Sequence, residues 1–358
     1  MEHASVYCAT KGSSCRSTHT EVLPCRTRSG SVRAIVNTRP GGSDVLETQN
    51  RPMPEPGFGQ VRVRVHASAL NRADMLQRQG AYSAPPGASS DIPGLEYAGE
   101  VEAVGTDTAM WTVGDRVMGI IGGGAHAEYV CVHEREVMAM PQGMSFANAA
   151  AIPEAFLTAY DALIRQLNVQ IGERVLVHAV GSGVGTAALQ LAHTAGATVL
   201  GTSRSPDKLE RSRAFGLQHA IDASAGDWPS HVERCVGPSG VHAIVDLVGG
   251  AYLAGNVRVL APLGRTIIVG LTAGRSTPLD MGAVLGKRLR IMGTMLRSRP
   301  LEEKCALARD FSERITPLFT AARLRPVVDC VLSFADIRAA HDLMESNTTF
   351  GKIVLNWD

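Results

Sequence analysis

The sequence predicts an α/β protein of two units, an irregular β-barrel and a doubly wound parallel sheet. Three observations predict it. Up to about residue 145 the chain reads as short strands punctuated by Gly and Pro, the pattern of a barrel or sandwich. From residue 174 onward, strands alternate with helices, as in a parallel sheet. That alternation opens on the run from Val175 to Ala192, which reads as a buried strand, a turn holding Gly181, Gly183 and Gly185, and a helix of small residues.

Taken in order, Val32–Val36 starts the folded sequence and Pro40-Gly41-Gly42 turns it. Gln60–Ala67 alternates strictly and predicts a half-buried strand. Short strands follow at 101–105, 116–118 and 127–132. The character then changes: 145–152 and 156–163 read as helices. Six strands are expected at 174–178, 197–202, 219–222, 242–247, 265–269 and 289–293. Helices are expected near 185–195, 206–215, 251–261 and 281–286. Helical stretches near 300–320 and 335–346 precede a last strand at 352–355, and these return to the first unit. The expected division is therefore a leader at 1–31, a barrel unit at 32–155 plus 297–358, and a parallel-sheet unit at 156–296.

The glycine turn reads as a dinucleotide loop. A helix that starts at such a turn presents free N–H groups and a partial positive charge to a pyrophosphate. The match to G-x-G-x-x-G is imperfect, with Val180 at the first glycine, Ser182 at the second and Gly185 at the third. Ser182, Gly183 and Val184 are the expected contacts. About 20 residues on, where a carboxylate would accept from a free ribose 2′-hydroxyl, the chain instead reads Thr202-Ser203-Arg204-Ser205-Pro206-Asp207-Lys208. Hydroxyls with Arg204 and Lys208 suit a 2′-phosphate, so NADPH is expected over NADH, through Ser203, Arg204 and Lys208. Asp207 is expected to flank the following helix. Gly249, after the fourth strand, and Gly270 and Leu271, after the fifth, lie at carboxyl ends of strands, where ligands bind in open α/β sheets.

The chain has 358 residues, 45% hydrophobic and 19% charged, with a net charge of +1, which gives no footprint for nucleic acid. Apolar runs are short and broken, so no membrane span is expected. Seven cysteines, none in C-x-x-C, predict free thiols rather than a disulfide framework. The first 31 residues hold ten Ser or Thr, four Lys or Arg and only two acids. They read as a transit peptide, which implies a chloroplast or mitochondrion, or else as a leader on a cytoplasmic protein.

The segments Ala69–Asp74, Gln79–Tyr82, Ile92–Gly99, Ala150–Glu154 and Leu157–Ala159 together resemble the zinc-independent, zeta-crystallin-like quinone oxidoreductases. These belong to the medium-chain dehydrogenase/reductase superfamily, and the resemblance is closest to the stress-inducible NADPH:quinone oxidoreductases of animals. It runs from about Val32 to Leu355 and includes Leu296–Arg299 and Gly351–Leu355. It implies a GroES-like barrel plus a Rossmann domain, NADPH as the cofactor, and reduction of a small-molecule quinone without metal. Activated C=C bonds of enals and enones, or NADPH binding with little turnover, are the alternatives. The zinc branch of the superfamily carries Cys, His and Cys where this chain has Asn71, Leu95 and Glu154, a set without the usual N/S ligands.

By resemblance, Asn71, Asp74, Tyr82 and Thr158 are the catalytic candidates, Tyr82 and Thr158 also lying near the nicotinamide. Arg297 and Lys352 of the return segment join the cofactor set. Glu96 is expected to hold loops together, and His126 to be incidental. Ala223 stands where the animal branch has a tyrosine near the adenosine phosphate, which either weakens NADPH binding or leaves Arg204 to compensate. Relatives pair through an edge strand of the cofactor sheet, so a homodimer through 289–293 is expected.

Overall fold

The computed structural model describes residues 30–358. The leader expectation, with Cys8, Cys15 and Cys25, lies outside the described residues. The barrel unit contains β1 (Ser31–Asn37), β2 (Leu46–Pro52), β3 (Gln60–Ala69), β4 (Glu96–Val104), β5 (Arg116–Ile120), β6 (Tyr129–His133) and β7 (Val137–Ala139). The parallel unit contains β8 (Arg174–Val177), β9 (Thr198–Ser203), β10 (His219–Asp222), β11 (Val241–Asp246), β12 (Leu260–Ile268) and β13 (Arg290–Gly293). The chain ends with β14 (Val328–Ser333) and β15 (Lys352–Asn356).

The second sheet runs β10-β9-β8-β11-β12-β13, every pair parallel. Its strand order reverses between β8 and β11, which opens a crevice at their carboxyl ends, the doubly wound Rossmann arrangement. Alternate side chains serve two layers. Val175 and Val177 of β8 pack with Phe156, Leu189 and Ala243 on one face, while Leu176 packs with Leu200, Ile244 and Trp228 on the other. A parallel sheet covered on both faces must be apolar on both, and β8 is.

The first sheet runs β14-β15-β3-β4-β5-β7, with β6 also pairing β3. Val61, Val63, Val65, Tyr97, Ile353 and Leu355 fill its core. Here the half-buried expectation for Gln60–Ala67 is corrected in part: Arg62 and His66, on the face expected to meet water, are buried, while Arg64 stays exposed. His66 stacks on Phe146 at 4.2 Å, and Arg62 is buried against Glu102 and Glu55. Other elements were absent from the expectation. β2 is a largely polar strand whose sheet partner is β1, and β14 forms beside β15. The helix Trp228–Val236 supplies the crossover between β10 and β11, burying Trp228 and Val232 one turn apart. The expected helix over 300–320 breaks into Leu301–Arg314 and Thr316–Thr320 at Ile315, just before Pro317. No helix among the described residues is long and apolar enough to cross a membrane.

Candidate active site

The turn after β8 is shaped by backbone as much as by glycine. Ala179 adopts φ 47°, a left-handed conformation in a non-glycine residue. A Cβ on Gly185 would lie 2.3 Å from Ala179 O, so the helix can approach its own turn only through glycine there. Ser182 caps the helix Gly183–Thr194, its Oγ accepting from Gly185 N at 3.1 Å. The serine at the second glycine position is thus turned into the helix. The N–H groups of Gly183 and Val184 face outward at the dipole's positive end.

The return segment is stitched to this turn. Gly351 N donates to Gly181 O at 2.9 Å, and a Cβ on Gly183 would meet Lys352 Cδ at 2.5 Å. Lys352 therefore lays its stem along the loop and carries its ammonium into the barrel. There Nζ donates to Leu70 O and Asn71 Oδ1, both at 2.6 Å, and pairs with Glu96 Oε1 at 2.7 Å.

Around that ion pair the candidates converge. Asn71 precedes the helix Arg72–Arg78 and donates Nδ2 to Glu96 at 2.9 Å. Glu96 also accepts from Glu154 N at 2.7 Å, so it ties three segments together, as expected of a structural carboxylate. Asp74 is fully buried and accepts from Asn71 N and Gly94 N, at 2.7 and 2.9 Å. Burial outweighs those bonds and pushes its carboxyl up to about 6. Glu154 begins the helix Pro153–Tyr160, and no protein partner bonds its carboxyl among the described residues. Burial, then the neighbouring Glu96, raises it to about 8, against Lys352 and Arg297, so it is an acid at neutral pH. Thr158 lies one turn further along the same helical face, buried.

Tyr82 stands in the loop before β4, half-buried, with the Arg297 guanidinium 4.8 Å from its ring centroid. Desolvation raises the phenol, which stays a donor. Arg297 itself faces the barrel loops, donating Nε to Gly122 O at 2.7 Å and Nη2 to Gln77. Those bonds fix it against the loops of the barrel. His126 is fully buried against Ser68 Oγ, and burial lowers it to about 3. It holds no proton to give at neutral pH.

At the end of β9, Ser203 Oγ accepts from Ser205 N, and Ser205 caps the helix Pro206–Arg213 with Asp207 in its first turn. Arg204 is exposed and makes no salt bridge among the described residues. Lys208 donates to Asn347 O at 2.6 Å and is depressed mainly by burial, with Arg211, Arg204 and Arg72 adding repulsion. Asp329 opposes that repulsion and pairs with Arg211 at 3.5 Å. Ala223 is buried beside Ser203. At the end of β11, Asp246 Oδ1 accepts from Val248 N and Gly249 N, fixing that loop. Gly270 backs it, where a Cβ would meet Leu247 O at 2.5 Å, and Leu271 is exposed.

Two features escaped sequence reasoning. The sequence shows Glu154 only as a position where a zinc ligand is missing; its burial beside Glu96, which raises its pKa, has no local signal. The second is a polar chain beneath the crevice. His178 joins Thr202 Oγ1 and Asn256 Oδ1, at 2.9 and 2.7 Å, and Asn256 donates to Asp246.

This fold and site define an oxidoreductase scaffold, and comparison with known proteins agrees. Residues 57–142 match the alcohol dehydrogenase GroES-like domain, and residues 183–313 match the zinc-binding dehydrogenase family. The chain is 32% identical to the synaptic vesicle membrane protein VAT-1 homolog of Mus musculus, over 90% of this chain and 83% of that protein. It is 29% identical to the quinone oxidoreductase of Homo sapiens, over 90% and 97%. The crystal structure of the CurK enoyl reductase superposes with a TM-score of 0.82 at 28% identity, covering 91% of this chain and 99% of that one. The chain belongs to the medium-chain dehydrogenase/reductase superfamily, whose members bind nicotinamide cofactors.

Proposed function

We propose that this protein is a zinc-independent reductase that passes hydride from NADPH to a quinone, in the zeta-crystallin-like branch. The observation that carries the reading is Lys352. Its ammonium sits between Asn71 and Glu96, among the positions where the zinc branch places its metal. A cation already held there by three oxygens repels a divalent ion, and Leu95 offers no ligand atom. The glycine turn fits a dinucleotide: Gly183 and Val184 would hold the pyrophosphate, and Ser203, Arg204 and Lys208 the 2′-phosphate. Gly249, Gly270, Leu271 and Thr158 would line the path to the nicotinamide, which supplies hydride when bound. Asn71 and Asp74 order the barrel wall, and Tyr82 offers a phenolic donor to the acceptor.

The likeness to an enoyl reductase supports a second reading, reduction of an activated C=C bond. One assay separates them. The protein is given NADPH or NADH with naphthoquinone, hexenal or no acceptor, with and without chelator. Quinone-dependent NADPH oxidation that ignores chelator is expected. Loss on chelation, equal use of NADH, or a clear preference for hexenal would each overturn the corresponding part. We also propose a homodimer through the unpaired edge of β13; a monomer by light scattering would refute it. For residues 1–31 the transit-peptide reading stands as a proposal, tested by locating a tagged full chain in cells.

A further inference from the structure

His178 directly follows β8 and precedes the left-handed Ala179 of the glycine turn. Its ring is fully buried and stands near-perpendicular to Trp228 and Tyr252, at centroid distances of 4.7 and 4.9 Å. Both of its nitrogens are bonded, and the sense of each bond follows from the far end of the chain. Asp246 closes β11; its Oδ1 accepts from Val248 N and Gly249 N, and its Oδ2 from Asn256 Nδ2 at 2.8 Å. An amide that donates to a carboxylate turns its oxygen the other way, so Asn256 Oδ1 accepts from His178 Nε2. His178 Nδ1 is then the acceptor, and the Thr202 hydroxyl donates to it. Only the neutral ring protonated at Nε2 satisfies both partners. Thr202, Asn256 and Asp246 are buried as well, so the protons have one arrangement.

What this chain joins are strand ends. Thr202 precedes Ser203 at the end of β9, and its carbonyl accepts from Val180 N of the glycine turn. The Asp246 carbonyl accepts from Val269 N and Gly270 N beyond β12. One imidazole therefore ties the end of β9, across β8, to the loops that follow β11 and β12. In an open α/β sheet these ends border the ligand crevice. We propose that His178 is a positioning residue for the dinucleotide, fixing the loop that takes its adenosine half relative to the loops that take its nicotinamide half. This rests on the cofactor reading above and adds the buried group that aligns the two halves. The ring itself lies out of a ligand's reach. A neutral imidazole suits the task, being a rigid plate with an acceptor at one end and a donor at the other. Each bond secures one end of the site. The Thr202 side governs affinity for the adenosine half, and the Asn256 side governs placement of the reacting half, where a misplacement of about 1 Å costs about 100-fold in rate.

The test uses the full chain, with 2′,5′-ADP as the probe of the adenosine half and naphthoquinone turnover as the readout of the other. Thr202→Val removes one hydroxyl at nearly constant shape. It should weaken 2′,5′-ADP about tenfold in calorimetry and raise the KM for NADPH alike, with a smaller fall in kcat. Thr202→Ser keeps the hydroxyl and should bind 2′,5′-ADP within about twofold of wild type. Asn256→Leu should do the reverse, lowering kcat at saturating NADPH about tenfold while 2′,5′-ADP affinity changes less than about twofold. Two results overturn the proposal: Thr202→Val and Asn256→Leu lose melting temperature alone, or Thr202→Ser is as impaired as Thr202→Val. If Asn256→Leu does not fold by circular dichroism, the two Thr202 variants decide. A wild-type protein that prefers 5′-AMP to 2′,5′-ADP would sink the NADPH reading, and the Thr202 comparison is then made with 5′-AMP. One that binds 2′,5′-ADP but reduces no acceptor would sink the reductase reading, and calorimetry on the Thr202 variants still decides the role of His178.

Discussion

At the residue scale, burial raises all three carboxyls of the site, and their partners oppose that rise to different degrees. Glu96 has Lys352, Asn71 Nδ2 and Glu154 N to hold its charge. Lys352→Met keeps the stem and removes the ammonium, leaving Glu96 buried without its counterion. A fall of about 3–5 kcal/mol in unfolding free energy is expected, read from the denaturant midpoint. Glu154 has no such partners on its carboxyl among the described residues. Its folded carboxyl titrates at about 8, against 4.5 when unfolded. Between those values the folded state keeps a proton that the unfolded chain has released, so stability falls as pH rises through that window. Glu154→Gln mimics the neutral acid and should remove that slope, making the protein about 2 kcal/mol more stable than wild type near pH 8 in thermal or urea unfolding.

At the scale of elements, Ser182 is the point where a sequence motif and a structural rule meet. As a dinucleotide signature it looks defective; as a helix cap it is what the N-terminus needs. Ser182→Ala should cost about 1 kcal/mol in stability while changing cofactor affinity little, because its Oγ points to Gly185 N and not outward. Calorimetry together with a fluorescence titration of NADPH checks both halves. The same comparison shows what the sequence made legible. The six parallel strands and all their crossover helices but Trp228–Val236 were readable because Val175–Val177, the glycines and the following helix are signals written within a few residues of one another. β2 and β14 were not, since a polar strand such as Leu46–Pro52 is defined by its neighbour. The apparent alternation of β3 misled in part for the same reason: Phe146, far along the chain, covers His66 on the face that was expected to meet water. Within the site, Asn71, Asp74, Tyr82 and Glu96 could be named from the chain. That Lys352 closes on Asn71 across 281 positions, or that Arg297 turns toward Gln77 across 220, has no local signal.

At the scale of the whole molecule, burial lowers three histidines, His126, His178 and His341, and so weakens the fold in acid. His126 and His341 are each lowered to about 3 by burial, and His341 is held neutral as the acceptor of an Arg78 hydrogen bond. Unfolded, both would titrate at 6.5. Below that pH the unfolded chain takes up protons that the folded one refuses, so stability falls as pH drops from 6.5 toward about 3. Replacing His126 and His341 by Gln should make that limb shallower, which a series of melting temperatures against pH would show.

The stitch between Gly351 and Gly181 bears on how the protein is made. The glycine turn leaves the ribosome midway through synthesis, and its sheet is complete by β13. Its floor and flank wait for the final strand, because Lys352 both backs the turn and neutralises Glu96. A nascent chain can therefore own a nucleotide fold before it owns a reaction centre. A chain that lacks β15 leaves Glu96 buried without its counter-charge and the glycine turn without its backing.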